Sequence, residues 1–240
     1  MKVSIITVTL NSEKYLEKTI LSVLNQTYSN IEYIIIDGGS KDGTLNLISK
    51  YQDSISYFIS EKDDGIYDAM NKGITQATGD LIGIINSDDW LNNDAIERIV
   101  SVGKKAKTKT FVIHGNIRMI NANNKILAIR KPIANSIAKY FTTPFKHPAM
   151  FVSKEIYKTF GAFDIGSGLA ADYDFMLRIS SCESFYIDKI ITNVRTVGIS
   201  TGGRKSATSY ELLNILLKNT KNPILSFLGI IYRRFRKLIL

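Results

Sequence analysis

Leu81-Ile82-Gly83-Ile84-Ile85-Asn86-Ser87-Asp88-Asp89-Trp90 sets an apolar, β-branched run directly against two adjacent carboxylates. The run reads as a strand buried on both faces of a sheet that stops on the acids. In α/β sheets, ligands sit at the carboxyl ends of such strands. Two neighbouring Asp side chains repel, so a cation or a donor network between them is the simplest reason to leave them together. A divalent ion held by one or two carboxylates and completed by phosphate oxygens suits hard oxygen ligands. Ser87-Asp88-Asp89 ahead of Trp90-Leu91 also fits the cap of a following helix. Taken alone, the stretch leaves both readings open.

Upstream, the same pattern recurs. Residues 3–9 read as a buried strand, and Asn11-Ser12 offer a cap to a helix over 13–25 whose Leu16, Ile20, Val23 and Leu24 share one face. Residues 31–36 form a second apolar strand that stops on Asp37, followed by Gly38-Gly39-Ser40-Lys41-Asp42-Gly43-Thr44 and a helix over 44–51. A short strand over 55–60 leads through Glu61-Lys62-Asp63-Asp64-Gly65 to a helix over 68–77. Strands alternating with helices indicate βαβ units and a mostly parallel sheet. Thr9 with Asn11, Asp37, and Asp88 with Asp89 then stand at three successive strand ends, the outline of a nucleotide crevice. No Gly-x-Gly-x-x-Gly follows the first strand and no Gly-x-x-x-x-Gly-Lys-Ser/Thr occurs, which excludes a P-loop and weakens a dinucleotide reading. Asp37 is also readable as a turn former before two glycines.

Downstream, a helix over 93–104 precedes strands over 110–114 and 116–120, a turn at 121–124 and a partner strand over 125–130, making the sheet mixed. Of the two histidines, His114 lies in an apolar strand and reads as structural; His147, in the loop before another strand, is balanced between packing and a ligand contact. Ala170-Ala171-Asp172-Tyr173-Asp174-Phe175-Met176-Leu177-Arg178 reads as a helix with both acids in its first turn, which suits either the helix dipole or a general base beside a nucleotide sugar.

Length and charge bound these readings. The 240 residues suit one large α/β domain with an appendage. The single cysteine, Cys182, excludes a disulfide framework and a cysteine zinc site and suits a reducing cytoplasm. The apolar stretch after Met1-Lys2 is too short for a signal peptide. Of the net charge of +9, residues 202–240 carry +7 through eight Lys or Arg and one Glu, leaving about +2 on the body. That distribution argues against a nucleic-acid partner and for a basic tail that meets an acidic surface.

In this order, the segments Thr9 with Asn11, Asp37-Gly38-Gly39-Ser40-Lys41-Asp42-Gly43-Thr44, Asp64-Gly65-Ile66-Tyr67-Asp68-Ala69-Met70-Asn71-Lys72-Gly73, Asn86-Ser87-Asp88-Asp89, His147-Pro148, Gly161-Ala162-Phe163-Asp164 and Asp172-Tyr173-Asp174 resemble a family 2 glycosyltransferase with the GT-A fold, of the bacterial polysaccharide type. The resemblance runs from Val3 to about Ser200. It implies an α/β mixed, mostly parallel sheet and a metal-dependent, inverting transfer from a nucleotide sugar, UDP by family habit, to a lipid-linked or glycan acceptor. It implies that Asp37 bonds the nucleotide base, with Thr9 and Asn11 lining that pocket. Asp89 would ligate Mn²⁺ or Mg²⁺ directly while Asp88 contacts ribose or metal-bound water, with His147 a further candidate ligand. Asp172 would be the catalytic base. Ala171 stands where relatives carry a Glu, so the second acid falls to Asp174 or is dispensable. Met70 replaces an Arg, leaving Lys72 or another cation to reach the nucleotide. Arg195-Thr196-Val197-Gly198-Ile199-Ser200 resembles a loop near the diphosphate, with Arg195 a phosphate partner or a surface residue.

The resemblance divides the chain into a domain over 1–201, its nucleotide-binding half ending near 100 and its acceptor half spanning 101–201, and a basic tail over 202–240. A helix over 210–217 precedes a break at 219–223. Ile224, Leu228, Ile231, Phe235 and Leu238 then form a stripe with Arg233, Arg234, Arg236 and Lys237 interspersed. The helix is too short and charged to span a bilayer, and fits an amphipathic helix on an anionic membrane surface or one packed back on the body. The first reading places the protein on the cytoplasmic face of the membrane. A sugar-phosphate nucleotidylyltransferase would want a Gly-rich basic signature behind the first strand, which Asn11-Ser12-Glu13 does not supply. A non-catalytic nucleotide-sugar-binding module is kept open by Ala171 and Met70.

Overall fold

A computed structural model of the protein describes residues 1–133, 137–196, 207–220 and 222–239. Its first half alternates β1 (Val3–Thr9), α1 (Leu16–Leu24), β2 (Ile31–Asp37), α2 (Thr44–Ser49), β3 (Tyr57–Ser60), α3 (Ile66–Gln76) and β4 (Leu81–Asn86). The four strands are parallel in the order β3-β2-β1-β4. All seven residues of β1 are buried, as a strand covered on both faces requires. Alternation sends Val3 and Ile5 with Tyr33, Ile35, Leu81 and Ile85 into one core layer under α1, and Ile6 and Val8 with Ile34, Ile36, Ile82 and Ile84 into the other under α3. Each fully buried aliphatic side chain contributes about 1.5–3 kcal/mol, so a register slip that exchanged the two faces is strongly opposed.

The second half continues with β5 (Trp90–Leu91), α4 (Ala95–Gly103), β6 (Phe111–Ile120), β7 (Ile126–Arg130), α5 (Ala138–Phe141), β8 (Met150–Ser153), α6 (Lys154–Phe160), α7 (Ala171–Arg178) and β9 (Glu183–Arg195). The nine-stranded sheet runs β3-β2-β1-β4-β8-β6-β9-β5, with β7 paired to β6. β8 is antiparallel to both β4 and β6, which makes the sheet mixed. At the β4–β8 junction a Cβ on Gly83 would strike the Phe151 ring, so the glycine in the central strand is where that ring packs. The two strands expected over 110–114 and 116–120 are one, β6. Its register with β9 shifts at Gly115/Asn116 instead of the strand ending there, and a Cβ on Gly115 would meet Ile191.

Beyond residue 206, α8 (Ser209–Thr220) and α9 (Pro223–Ile239) form a helical pair. Ile215, Leu216 and Ile230 pack with Tyr140, Tyr173 and Leu177 in a third small core between the tail, α5 and α7. The inner face of α9 carries Ser226 and Ile230, both buried, and Gly229, where a Cβ would strike the Tyr140 carbonyl. Its predicted stripe points the other way: Ile224, Leu228, Ile231 and Phe235 are 72, 47, 39 and 61 % exposed, joined by Phe227 at 59 %. The side chain of Leu238 lies outside the described ones. No helix among the described residues is long and apolar enough to cross a membrane.

Candidate active site

The parallel register brings the ends of β1, β2, β3 and β4 to one edge of the sheet: Thr9 pairs with Asp37, Asp37 with Ser60, and Val8 with Asn86. At this edge Asp37 is fully buried. Its Oδ2 accepts from the Gly39 and Ser40 N–H groups at 3.0 and 2.9 Å and from Ser60 Oγ at 2.6 Å, and its Oδ1 accepts from Ser40 Oγ at 2.5 Å. The base contact expected of Asp37 therefore does not fit this geometry. Four donors from its own and the neighbouring loop consume the carboxylate, and it holds the 38–40 turn together. A carboxylate that does reach this edge is Asp63: a Cβ on Gly38 would run into its Oδ2, while its Oδ1 accepts from Gly65 N at 2.9 Å. Asn11, at φ 48°, ties the same loops, since its Oδ1 accepts from Lys41 N and its own N–H donates to Ser40 Oγ. Lys72, expected to reach the nucleotide, is paired with Glu61 at 2.7 Å and Asp68 at 3.3 Å and braces the loop after β3.

The turn after β4 is held from beneath by α1, where Thr19 Oγ1 donates to the carbonyls of Ser87 and Asp89 and Ser12 Oγ bonds Ser87 Oγ at 2.7 Å. This fixing separates the two acids. Asp89 is 1 % exposed, with Oδ1 accepting from the Arg195 N–H at 3.0 Å and Oδ2 from Asn86 Nδ2 at 3.3 Å. Asp88 is partly exposed. The direct metal contact expected of Asp89 thus conflicts with its burial and committed oxygens, and Asp88 is the member of the pair that faces out. Burial raises the pKa of both carboxyls. The neighbouring Asp88 charge adds to the effect at Asp89, and the Arg195 charge opposes it at Asp88. Among the described residues, Thr9 Oγ1 at the end of β1, Asn86 Oδ1 at the end of β4 and Arg195 Nε at the end of β9 are buried without a hydrogen-bond partner. Buried polar atoms are rarely left so, and here they stand at the ends of three strands, Asn86 two residues before Asp88 and Arg195 with its N–H on Asp89.

A cationic corner closes that side. The Arg195 guanidinium lies 4.6 Å from the Tyr15 ring and 5.2 Å from the Trp90 ring, and Lys18 Nζ sits 3.4 Å from the Trp90 ring centroid. Burial and the Arg195 charge lower the Lys18 pKa. Arg195 is itself buried, so the surface reading does not hold. Of the loop that follows it, residues 197–200 lie outside the described residues.

The second acid pair also splits. Asp172, in the first turn of α7, is partly exposed, and its carboxylate accepts from the Tyr173 N–H at 2.7 Å. Asp174 is 0 % exposed and bonded to Arg178 Nε at 2.9 Å and Asn219 Nδ2 at 3.0 Å, so it supplies no second acid to the crevice. The acid that acts on His147 is Asp172: burial lowers the imidazole pKa and the Asp172 charge partly restores it. His147 therefore feels the α7 acid, and its ring packs edge-on to Phe163 at 5.6 Å. Among the described residues, no three His, Cys, Asp or Glu side chains converge. An ion here would take Asp88, the partnerless Asn86 Oδ1 and oxygens of the substrate, a set that suits a hard divalent cation. His114 is buried against Phe145 and Tyr186, which pushes its pKa down to about 4, as a structural histidine requires. Ala171 and Met70, the two departures from the expected pattern, are both core positions at 0 and 2 % exposure.

The reading of the sequence missed Lys18, Tyr15, Trp90 and Asp63. For the first two a signal was present, because the first turns of a helix that follows a parallel strand stand at the ligand-bearing edge.

The comparisons with known proteins bear on the family and the fold. An uncharacterized glycosyltransferase of Mycobacterium tuberculosis is 32% identical over 219 residues, covering 88% of this chain and 81% of that protein. One from Haemophilus influenzae is 28% identical over 228 residues, covering 91% and 89%. Among solved structures, S. aureus TarS 1-349 in complex with UDP-GlcNAc superposes with a TM-score of 0.72 at 19% identity, over 91% of this chain and 66% of that one. The mannosyltransferase PcManGT from Pyrobaculum calidifontis, in complex with GDP-Man and Mn²⁺, gives 0.65 at 17% identity over 96% and 69%. The fold is therefore the expected GT-A fold. With residues 4–161 matching the pattern described as glycosyl transferase family 2, the chain belongs to that family of glycosyltransferases.

Proposed function

We propose that the protein moves a sugar from a UDP-linked donor to a hydroxyl of a lipid-linked or glycan acceptor, with inversion at the anomeric carbon, in cell-surface polysaccharide assembly. The observation that carries this reading is the set of buried atoms without a hydrogen-bond partner among the described residues, Thr9 Oγ1, Asn86 Oδ1 and Arg195 Nε, at the strand ends around the Asp88–Asp89 turn. Thr9 at the end of β1 offers a hydroxyl to the nucleoside. Asp88 and Asn86 Oδ1 would hold Mn²⁺ or Mg²⁺, which when bound neutralises charge on the diphosphate. Lys18 and Arg195 add a positive field on the same side, where negative charge develops as the nucleoside diphosphate departs. Asp172 accepts the proton of the acceptor hydroxyl. The oxygen of the acceptor hydroxyl forms the new bond to the anomeric carbon as the bond to the diphosphate oxygen breaks, and the electron pair leaves with the nucleotide. UDP-GlcNAc and GDP-Man in the structural neighbours support a nucleotide-sugar donor.

The outward stripe of α9 and the +7 charge of residues 202–240 support a position on the cytoplasmic face of an anionic membrane, where a lipid-linked acceptor is presented. Leu228→Glu with Phe235→Glu, which leaves the inner face of α9 intact, should abolish sedimentation with phosphatidylglycerol-containing vesicles. Undiminished sedimentation would remove the membrane from the reading.

The decisive experiment is calorimetric binding of UDP, GDP and dTDP, each with Mn²⁺ and with EDTA. One nucleotide should bind, only with metal, and Asp88→Ala should lose it. If no nucleotide binds, or if binding ignores both metal and Asp88, the protein is a member of the fold without this activity.

A further inference from the structure

The helix that carries Asp172 is held by the C-terminal tail. α7 is eight residues long and follows a turn in which Gly168 has φ 56°, so little of its orientation is set by its own backbone. On the side opposite the crevice, Asn219 Nδ2 of α8 donates to Asp174 Oδ1 at 3.0 Å and is itself steadied by donating to the Ile215 carbonyl at 2.8 Å. Lys218 Nζ lies 3.6 Å from the same Asp174 oxygen and 3.1 Å from Asp164 Oδ2, at the head of the turn that leads into α7. Between the two acids, the Tyr173 hydroxyl donates to the Lys139 carbonyl of α5, and the Arg233 guanidinium of α9 lies 4.6 Å from the Tyr173 ring. Both neighbours of Asp172 toward the tail, Tyr173 and Asp174, are thus fixed from outside their own helix, whereas the Asp172 carboxylate bonds along the helix to the Tyr173 N–H. Phe175 and Met176 seat α7 in the core under the sheet and Arg178 ties it to the carbonyls of residues 160–162, and α8 adds the contacts on the Asp174 side.

We propose that Asn219, with Lys218, is a positioning residue for Asp172: α8 sets the rotation of α7 through Asp174 and so places the base against the acceptor hydroxyl. This rests on the assignment of Asp172 as the base. It gives the tail a role apart from membrane contact, and deletion of residues 202–240 would disturb turnover even in a soluble assay. A displacement of about 1 Å at a reacting group costs on the order of 10²-fold in rate.

The test is a double-mutant cycle on the full-length protein with Asn219→Ala, Asp172→Asn and the double variant. It is read as release of UDP, GDP or dTDP from the corresponding sugar nucleotides with Mn²⁺ and water as acceptor, alongside calorimetric binding of the free nucleotides. Asn219→Ala should lower kcat about 10- to 100-fold with nucleotide affinity unchanged, and should lower it no further in the Asp172→Asn background. Asn219→Asp, which sets a like charge against Asp174 without changing size, should act in the same direction if the alanine variant folds poorly. Multiplicative losses in the double variant, or an Asn219→Ala enzyme of unchanged kcat, overturn the positioning role while leaving the base in place. If Asp172→Asn keeps its turnover, or the wild type releases no nucleotide, the base assignment fails, and the positioning role with it.

Discussion

The Asp88–Asp89 pair and the Asp172–Asp174 pair look alike in sequence and divide in the same way in space, one acid facing the crevice and its partner enclosed. They differ in what encloses the partner. Asp89 is met by neutral donors, the Arg195 N–H and the Asn86 amide, and burial drives it toward its neutral form. Asp174 is met by cations, Arg178 and Lys218, together with Asn219. The first arrangement tolerates an uncharged side chain, and the second requires a charge. An acid motif therefore marks two kinds of work, facing the substrate and fastening the chain, and burial tells which acid does which.

The largest effect should separate the outward members from each other. Asp172→Asn should lower turnover about 10²- to 10⁴-fold, the usual loss for a general base, with metal-dependent nucleotide binding intact. Asp88 acts on binding instead, so its substitution moves the calorimetric isotherm. If Asp172→Asn weakened nucleotide binding as much as turnover, the division of labour between the two outward acids would be wrong.

The enclosed members should separate by stability. Asp174→Asn leaves Arg178 without its anion, while Lys218 keeps Asp164, and should cost about 3–5 kcal/mol, as breaking a buried pair does. For a chain of this length that is on the order of 10 °C in Tm. Asp89→Asn keeps an acceptor for the Arg195 N–H, and Asn86 can turn its partnerless Oδ1 toward the new amide. The cost should stay within about 1 kcal/mol. Thermal melts of the two variants check this, and equal losses would erase the contrast between neutral and cationic enclosure.

Much of the architecture was legible because it rests on period and polarity. The fully buried run of β1 is the seven residues that the sequence marks, and β4 ends where the acids begin. The sequence suggests two strands over 110–114 and 116–120, and the long β9 beside β6 explains why the strand runs through Gly115 with a shift of register instead of ending. At the site, the motifs located the correct edge of the sheet but not the direction of each carboxylate. Asp37 and Asp89 sit in the expected motifs and are turned inward by local donors together with donors on distant strands, Ser60 of β3 and the Arg195 N–H of β9. The Lys18–Trp90–Arg195 corner unites three distant segments, and no local pattern reveals it.

The smallest effect tests whether the two outward acids act on separate surroundings. With only two histidines in the chain, NMR titration resolves both, and His114, held to about pH 4, serves as the reference. Burial lowers the His147 pKa and the Asp172 charge opposes that fall. Removing the charge in Asp172→Asn takes away the opposing influence, so the His147 midpoint should drop further below the ordinary histidine value and the neutral imidazole should persist to lower pH. Asp88→Asn should leave it unmoved, because the charge that acts on His147 is Asp172, whereas the charge that acts on Asp88 is Arg195. A His147 midpoint that answered to Asp88 as strongly as to Asp172 would bring the imidazole back beside the β4 acids and merge the two pairs into one site.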